Sequence, residues 1–432
     1  MRILIISQYW APENGVPQRR WSWLTEILTE AGHSVTVLAP PPHYDRQIGF
    51  SEWWKNASYK TQTESNQEGL SYSIVRTGFI PAGKSLTHRI LNQAAVAVAS
   101  VLAVLRRSGE LRYFNPDLVI GTVPALPTAV VTFIASKRFR VPYLVDLRDA
   151  WPDLIQDSDR WNKSLGAPSL RERILSKGPL QFLGMVTTIA INFSLKRAAA
   201  IIVTSSRLGE ELRKRPGNLD YTREQKLGLV RNVFPPEVDL QRLAAKKHQG
   251  ESLNILYAGT LGRAQNLVNA IEAAELAADS GYEVRLRLVG AGAAKRELVR
   301  VSRGKNVSIE ISSKLAPEDL IEHYRWSDTA LVHLTDWQAL NQAVPSKTYE
   351  LMSIGKHISA VVSGETAELI QALEAGHVVR PEKPQELANL WIKLVENPEL
   401  LDVSNKGAEW VHQEREQVAP DELRRLMQSF ER

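Results

Sequence analysis

The run Val344-Pro345-Ser346-Lys347-Thr348-Tyr349-Glu350, continued by Leu351-Met352-Ser353-Ile354-Gly355-Lys356, holds the residue types best suited to chemistry. It reads as a loop entering a helix, with Gly355 as the stop. A helix start offers free backbone N–H groups and a positive dipole end, which suit an anionic phosphate. Lys347 adds a mobile positive charge. Glu350, about one turn further on, is placed to accept hydrogen bonds from a ribose. Phosphate, cation and hydroxyl acceptor together describe a nucleotide pocket. The same residues also fit an ordinary helix with a Lys and a Glu on its wet face.

Two further groups carry chemistry. Asp146, Arg148, Asp149 and Asp153 cluster where the apolar run Tyr143–Leu147 ends. A carboxylate beside an arginine serves either a site or a plain ion pair. Gly259 and Gly262, with Arg263, sit at a strand-to-helix turn of the kind that cradles phosphate. No Gly-x-Gly-x-x-Gly is present, so the dinucleotide fingerprint is absent. A divalent metal is expected to be dispensable.

The elements that must position these groups follow a β/α rhythm. Arg2 to Ser7 reads as a buried strand, residues 8–20 as a loop, Trp21 to Ala31 as a helix, and 33–39 as a second strand. Trp21, Leu24, Ile27 and Leu28 share one helix face. Ligands of doubly wound sheets bind at strand carboxyl ends, so the 8–20 loop, with Gly15 and Arg19, is expected to line a cleft. Strands are also expected at 71–76, 117–121, 143–147 and 200–204, with Ser205 or Ser206 capping the helix after the last. Residues 43–70, with Trp53-Trp54, read as an excursion from the sheet. A second sheet is expected from 253–258, 285–289, 307–311, 329–334 and 357–362. The domains read as 1–235, a linker at 236–250, and 251–407, with a charged helix at 408–432 as a candidate to cross back to the first domain.

At 432 residues the chain is too long for one core. Cys is absent, which excludes disulfides, thiolate metal sites and a Cys nucleophile. The start is too soon polar for a signal peptide, and the longest apolar run, Ala94 to Leu105, is about half a membrane span. A cytoplasmic protein, peripheral on the inner face of the plasma membrane, is expected. Residues 1–235 carry 30 Lys and Arg against 19 Asp and Glu, whereas 236–432 carry 23 against 29. A basic first half suits an anionic surface. Two helical stretches in it, 85–107 and 170–197, have apolar middles and basic ends. They fit amphipathic surfaces resting on a membrane, or core helices with solvated ends. The basic residues lack aromatic interleaving, which argues against nucleic acid.

Four segments, in order, resemble those of retaining glycosyltransferases of family 4, and the resemblance covers nearly the whole chain. They are Ile-Ser-Gln-Tyr-Trp-Ala-Pro-Glu with Gly-His-Ser-Val-Thr-Val (32–37), Leu147-Arg148-Asp149-Ala150-Trp151-Pro152, Tyr257-Ala258-Gly259-Thr260-Leu261-Gly262-Arg263-Ala264-Gln265, and Pro345-Ser346-Lys347-x-Tyr349-Glu350 with Gly355-Lys356. The chain is most similar to the subgroup acting in capsule and O-antigen synthesis, the N-acetyl-fucosamine and other N-acetylhexosamine transferases. The resemblance implies an α/β fold of two Rossmann-like doubly wound domains facing a central cleft, the glycosyltransferase B fold.

It further implies transfer of a sugar, of N-acetylhexosamine type, from a UDP-sugar to a lipid-linked or glycan acceptor, with retention and without a cofactor. Donor contacts would come from Gly259, Gly262, Arg263, Gln342, Ser346, Lys347 and Glu350. Asp149 and Arg148 would be catalytic, and Gly15 and Arg19 would meet the acceptor. Glu350 holds the second position of the family's Glu-x7-Glu pattern; Gln342 stands at the first, where relatives have Glu. Arg148 stands where many relatives have His. Two other readings fit the same fold: a UDP-N-acetylglucosamine epimerase, with His333 and Glu368 as proton carriers, and a non-catalytic sugar-nucleotide binder.

Overall fold

A computed structural model describes residues 1–43, 48–55, 63–64, 72–81, 86–123, 125–151, 179–214, 226–236 and 252–431. The chain divides into two units. The first takes Met1–Pro152, Pro179–Phe234 and Gln417–Arg432, and the second includes Pro235–Glu416.

In the first unit, β-branched and leucine-rich runs become the buried strands of one sheet. In chain order its elements are β1 (Arg2–Ile6), α1 (Val16–Glu30), β2 (Ser34–Ala39), α2 (Phe50–Lys55), β3 (Thr63–Glu64), β4 (Ser73–Arg76), α3 (Leu86–Arg106), β5 (Leu118–Val123), α4 (Pro127–Phe139), β6 (Tyr143–Leu147), α5 (Pro179–Arg197), β7 (Ala200–Val203), α6 (Ser206–Lys214) and β8 (Lys226–Leu229). The strand order is β3-β4-β2-β1-β5-β6-β7-β8. The two-residue β3 pairs antiparallel and the other strands run parallel. The order reverses between β1 and β5, which places a crevice outside their carboxyl ends. There Ser7 Oγ and Thr122 Oγ1 meet at 3.0 Å. Ser205, not Ser206, caps α6, accepting from the Leu208 amide at 3.2 Å.

The second unit repeats the plan with β9 (Ser252–Thr260), α7 (Val268–Asp279), β10 (Glu283–Ala291), α8 (Lys295–Ser302), β11 (Ser308–Ser312), α9 (Pro317–Trp326), β12 (Thr329–His333), α10 (Ser346–Ser353), β13 (Ile358–Val361), α11 (Glu365–Ala372), β14 (Gly376–Val379), α12 (Pro384–Glu396) and α13 (Lys406–Gln413). The order β11-β10-β9-β12-β13-β14 is parallel throughout and reverses between β9 and β12. Alanines of α7 and Leu387, Trp391 and Leu394 of α12 fill the core on one face.

Several sequence expectations need correction. The C-terminal segment is helical from Lys406 to Gln428, with a turn of π-helix at Glu414–Val418 between α13 and α14 (Ala419–Gln428). α13 belongs to the second unit, where Trp410 stacks on Tyr349 at 6.0 Å. α14 belongs to the first, where Leu426 packs over Gly228 and Lys226 Nζ donates to the Ser429 carbonyl at 3.0 Å. Strands β8 and β14 are additional. The apolar stretch around α3 is longer than half a span: His88–Arg112 is long and apolar enough to cross a membrane by length and composition. Asp153, residues 170–178, and the linker after Pro236 lie outside the described residues.

One buried charge pair organises the first unit. Arg20 and Asp146 are both fully buried. Arg20 Nη2 donates to Asp146 Oδ1 at 2.9 Å and Nε to Oδ2 at 3.3 Å, while Nη1 donates to the Arg231 carbonyl and to Asn232 Oδ1. Trp21 Nε1 adds a bond to Asp146 Oδ2 at 2.7 Å. The start of α1, the end of β6 and the segment after β8 are thereby held together. Removing one member strands the other charge in the core. Asp146→Ala should lower the unfolding free energy by about 3–5 kcal/mol in urea titrations. The paired change Arg20→Met with Asp146→Leu should recover most of it. A single-variant loss below about 1 kcal/mol would contradict this assignment.

Buried histidines give the second unit a pH dependence. Burial pushes His333 and His357 down to about 3. Both therefore stay neutral in the folded state, whereas the unfolded chain binds protons near pH 6.5. Stability from this source is complete above pH 6.5 and falls as pH drops toward 3, by up to about 1.4 kcal/mol per pH unit for each histidine. Melting temperatures should decrease between pH 7.5 and 5, and less steeply in His357→Gln. An equal slope in the variant would remove His357 from the account.

Candidate functional site

The second unit's site starts at its switch point. β9 ends in exposed Gly259 and Thr260, and the chain turns through Gly262 into a short 3-10 turn at Arg263–Gln265. β10 ends beside it in Gly290-Ala291-Gly292. A Cβ on Gly292 would lie 2.1 Å from the Leu261 carbonyl oxygen, so only glycine lets the two backbones lock. The Thr335 amide, just after β12, donates to the Ala264 carbonyl at 2.8 Å and closes the loop across the switch.

From Thr335 the chain passes through a second 3-10 turn, Gln338–Gln342, and reaches α10 at Ser346. Pro345 occupies the N-cap position and supplies no side-chain cap. Gly355, at φ +65°, ends the helix, with its own amide and that of Lys356 bonding back to Met352 and Leu351. The inner side of α10 is fixed by Tyr349 on Trp410 and by Met352 against Gly407.

On the outer side, Lys347 and Glu350 are partnered with each other. Lys347 Nζ reaches Glu350 Oε2 at 2.9 Å and Oε1 at 3.0 Å. The buried Tyr324 of α9 donates its hydroxyl to Glu350 Oε1 at 2.8 Å and accepts from Lys347 Nζ at 3.1 Å. The side chains of Lys347 and Glu350 remain 29% and 20% exposed, so a ligand can reach both. The expectation of a mobile Lys347 is thus corrected: its ammonium is held by three oxygens. Tyr324 belongs to this cluster, and its buried position on a helix 22 residues upstream of Ser346 gives no sequence signal.

His333 does not suit proton transfer. It is 2% exposed, its Nε2 is bonded to Asn269 Nδ2 at 3.0 Å, and burial keeps it neutral. Glu368 lies in the first turn of α11.

In the first unit, the predicted cluster at the end of β6 separates into two roles. Asp146 points into the core and binds Arg20, not Arg148. Arg20 lies four residues before Leu24 and seven before Ile27, on the inward face of α1, and that spacing is the signal available for it. Arg148 is 9% exposed, and its Nε and Nη1 find no hydrogen-bond partner. Its backbone carbonyl is anchored by Thr204 Oγ1 at 2.8 Å. Burial pushes its pKa down, opposed by Asp149 and then Asp146. Asp149 itself is exposed, although protein crowds its carboxyl enough to raise its pKa, against the pull of Arg148.

Arg19 lays its guanidinium over the Phe234 ring at 4.7 Å. Gly15 precedes α1 at φ −94°, an ordinary extended conformation, and an added Cβ would meet the flexible Gln18 side chain. Among the described residues no group of His, Cys, Asp and Glu is arranged to hold a metal ion.

Residues 15–220 match the glycosyl transferase 4-like domain, and residues 241–410 match the glycosyl transferases of group 1. The Escherichia coli (strain K12) protein WcaI, whose description as a colanic acid biosynthesis glycosyl transferase is itself provisional, is 23% identical over 380 residues, covering 87% of this chain and 86% of its own. Among solved structures, sucrose-phosphate synthase from Thermosynechococcus elongatus superposes with a TM-score of 0.64 at 16% identity, over 99% of this chain and 98% of its own. HepE of Anabaena, in complex with UDP-glucose, gives 0.61 at 14% identity, over 99% and 100%. The two domain matches together span most of the sequence and coincide with the two parallel-sheet units. The chain belongs to the glycosyltransferases that join a 4-like domain to a group 1 domain in the glycosyltransferase B fold.

Proposed function

We propose that the protein transfers a sugar from a UDP-sugar to a lipid-linked or glycan acceptor in cell-surface polysaccharide synthesis, with retention of anomeric configuration and without a metal. The observation that carries the donor assignment is α10. It is a helix start free of any side-chain cap, with a cation in its first turn and a carboxylate one turn on, beside a glycine loop at the sheet's switch point. HepE, crystallised with UDP-glucose, supports the choice of nucleotide, and WcaI supports the polysaccharide setting. The N-acetylhexosamine donor remains the choice that the sequence motifs favour.

In this reading the diphosphate lies over Gly259–Arg263 and the start of α10. Arg263 and Lys347 stabilise charge as it develops on the leaving group. Glu350 accepts from the ribose hydroxyls and exchanges part of its hold on Lys347 for them. Gln342 and Ser346 face the sugar and the phosphate. The acceptor meets Gly15, Arg19, Arg148 and Asp149. Its hydroxyl oxygen forms a bond to the anomeric carbon on the face from which the diphosphate departs. The carbon–oxygen bond to phosphate breaks, and the hydroxyl proton passes to the departing phosphate. Arg148 and Asp149 orient the hydroxyl.

The test is UDP release from a panel of UDP-sugars with membrane-extracted acceptor, followed by NMR of the new linkage. The expected product has the donor's anomeric configuration, forms in the presence of EDTA, and is best from an N-acetylhexosamine donor. Lys347→Met should lower kcat about 100-fold or more while leaving the melting temperature near wild type. Conversion of one UDP-sugar to another without acceptor would favour the epimerase instead. Binding of UDP with no product from any donor would leave a non-catalytic binder, with Gln342 as the first residue to restore to Glu.

A further inference from the structure

Two helices of the first unit are apolar on their outward side as well as on the buried side, where Val96, Val104, Ile191 and Leu195 lie. On α3 the outward line is Leu91, Ala94, Val98, Leu102 and Leu105, spaced three and four apart, whereas Asn92 and Ser100 face inward and are buried. Asn92 is held there by Gln8 at 3.0 Å and His43 at 2.9 Å. On α5, Met185, Ile189 and Phe193 are exposed at a spacing of four, while Ser194 is buried with Leu195. Val98 and Ile189 expose 60% and 61% of their surface. Water gains nothing from the outward apolar stripe, and a helix packed on one side only carries polar residues there instead.

The two helices flank α4. Phe133 of α4 meets Phe193 of α5 at 5.2 Å, and Arg138 Nε donates to the Leu105 carbonyl at the end of α3. Because each helix connects parallel strands, their C-terminal ends gather at one side. That side carries Arg106, Arg107, Lys137, Arg138, Arg140, Lys196 and Arg197. No Asp or Glu occurs in residues 86–107, 127–140 or 179–197. Several of these cations lie over aromatic rings, Arg197 over Phe193 at 3.7 Å and Arg107 over Phe139 at 5.2 Å, so the charge borders the apolar face directly.

We infer that the outward face of α3 and α5, with the basic ends of α3, α4 and α5, docks on a bilayer carrying anionic lipid headgroups. The apolar side chains enter the acyl boundary and the seven cations meet the headgroups. A second copy fits poorly, because its matching helices carry the same excess of cations and no Asp or Glu to pair with them. α3 is long enough to span, yet its inward bonds to Gln8 and His43 fix it on the sheet, so it lies on the membrane. This inference needs no nucleotide and stands apart from the sugar-transfer reading.

The test is co-sedimentation of the full chain with vesicles of phosphatidylcholine alone or mixed with phosphatidylglycerol. The expected result is binding to the mixed vesicles that weakens with salt. Val98→Asp with Ile189→Asp should cut partitioning more than about tenfold. Lys137→Gln with Lys196→Gln should cut it about fivefold per residue on mixed vesicles and leave neutral ones unchanged. Melting curves matching wild type would certify that the variants fold; if the Asp pair misfolds, the Gln pair decides. Equal partitioning of wild type to both vesicle types, or none to either, would overturn the inference. So would a wild-type dimer that the Asp pair turns into monomers, since the face would then be an interface between copies.

Discussion

The first unit depends on the burial of Arg20 against Asp146. A charge in the core is tolerable only when it is paired and its remaining donors are satisfied. Here the carboxylate receives Arg20 and Trp21, and the guanidinium spends its third nitrogen on Arg231 and Asn232. The geometry fixes where α1 begins, and therefore where Gly15 ends the loop from β1 and where the first turn of the helix presents Arg19. It also fixes the last turn of β6, so that Arg148 and Asp149 leave the sheet at its carboxyl edge. Asp146 is taken up by Arg20 and Trp21, and Arg148 keeps its Nε and Nη1 donors unspent. An interaction with no direct part in chemistry thus decides which arginine is structural and which is available.

The second unit reaches a similar end with backbone in place of charge. Gly292 lets the ends of β9 and β10 lock, and the Thr335 amide ties the β12 loop to the β9 loop. α10 is then held from behind by Trp410 and Met352, leaving its first turn and its Lys347–Glu350–Tyr324 cluster outward. That cluster balances a cation and an anion in the absence of ligand. Binding a diphosphate and a ribose would supply each with a partner of opposite demand, so the exchange costs little net charge separation.

Much of this is legible in the sequence, and for identifiable reasons. Strand β1 is an apolar run after Arg2, β6 and β9 are apolar apart from single polar positions such as Asp146 and Asn254, and Gly355 marks the end of α10 by the rule that positive φ favours glycine. β8 is not legible: Lys226-Leu-Gly-Leu229 is short, begins with a charge and contains a glycine. β14 opens on Gly376-His377 and is equally silent. The π turn between α13 and α14 is invisible because charged residues suit an α-helix and a π turn alike. Within the site, residues on one helical turn, Lys347 and Glu350, are read directly. Tyr324 enters only through tertiary packing. The outward apolar stripe of α3 is partly visible as an apolar middle with basic ends, but only the buried Asn92 and exposed Val98 show which side faces out.

The central claim is that the segment Val344–Glu350 binds the donor nucleotide. Thermal denaturation of wild type and Glu350→Ala with UDP and a panel of nucleotides tests it most directly, since a ligand of the folded state must raise the melting temperature. The account predicts stabilisation of wild type by UDP that Glu350→Ala loses, while the variant's own unliganded melting temperature stays within a few degrees. Equal stabilisation of both proteins would move the nucleotide away from α10. No shift with any nucleotide would contradict the donor assignment outright.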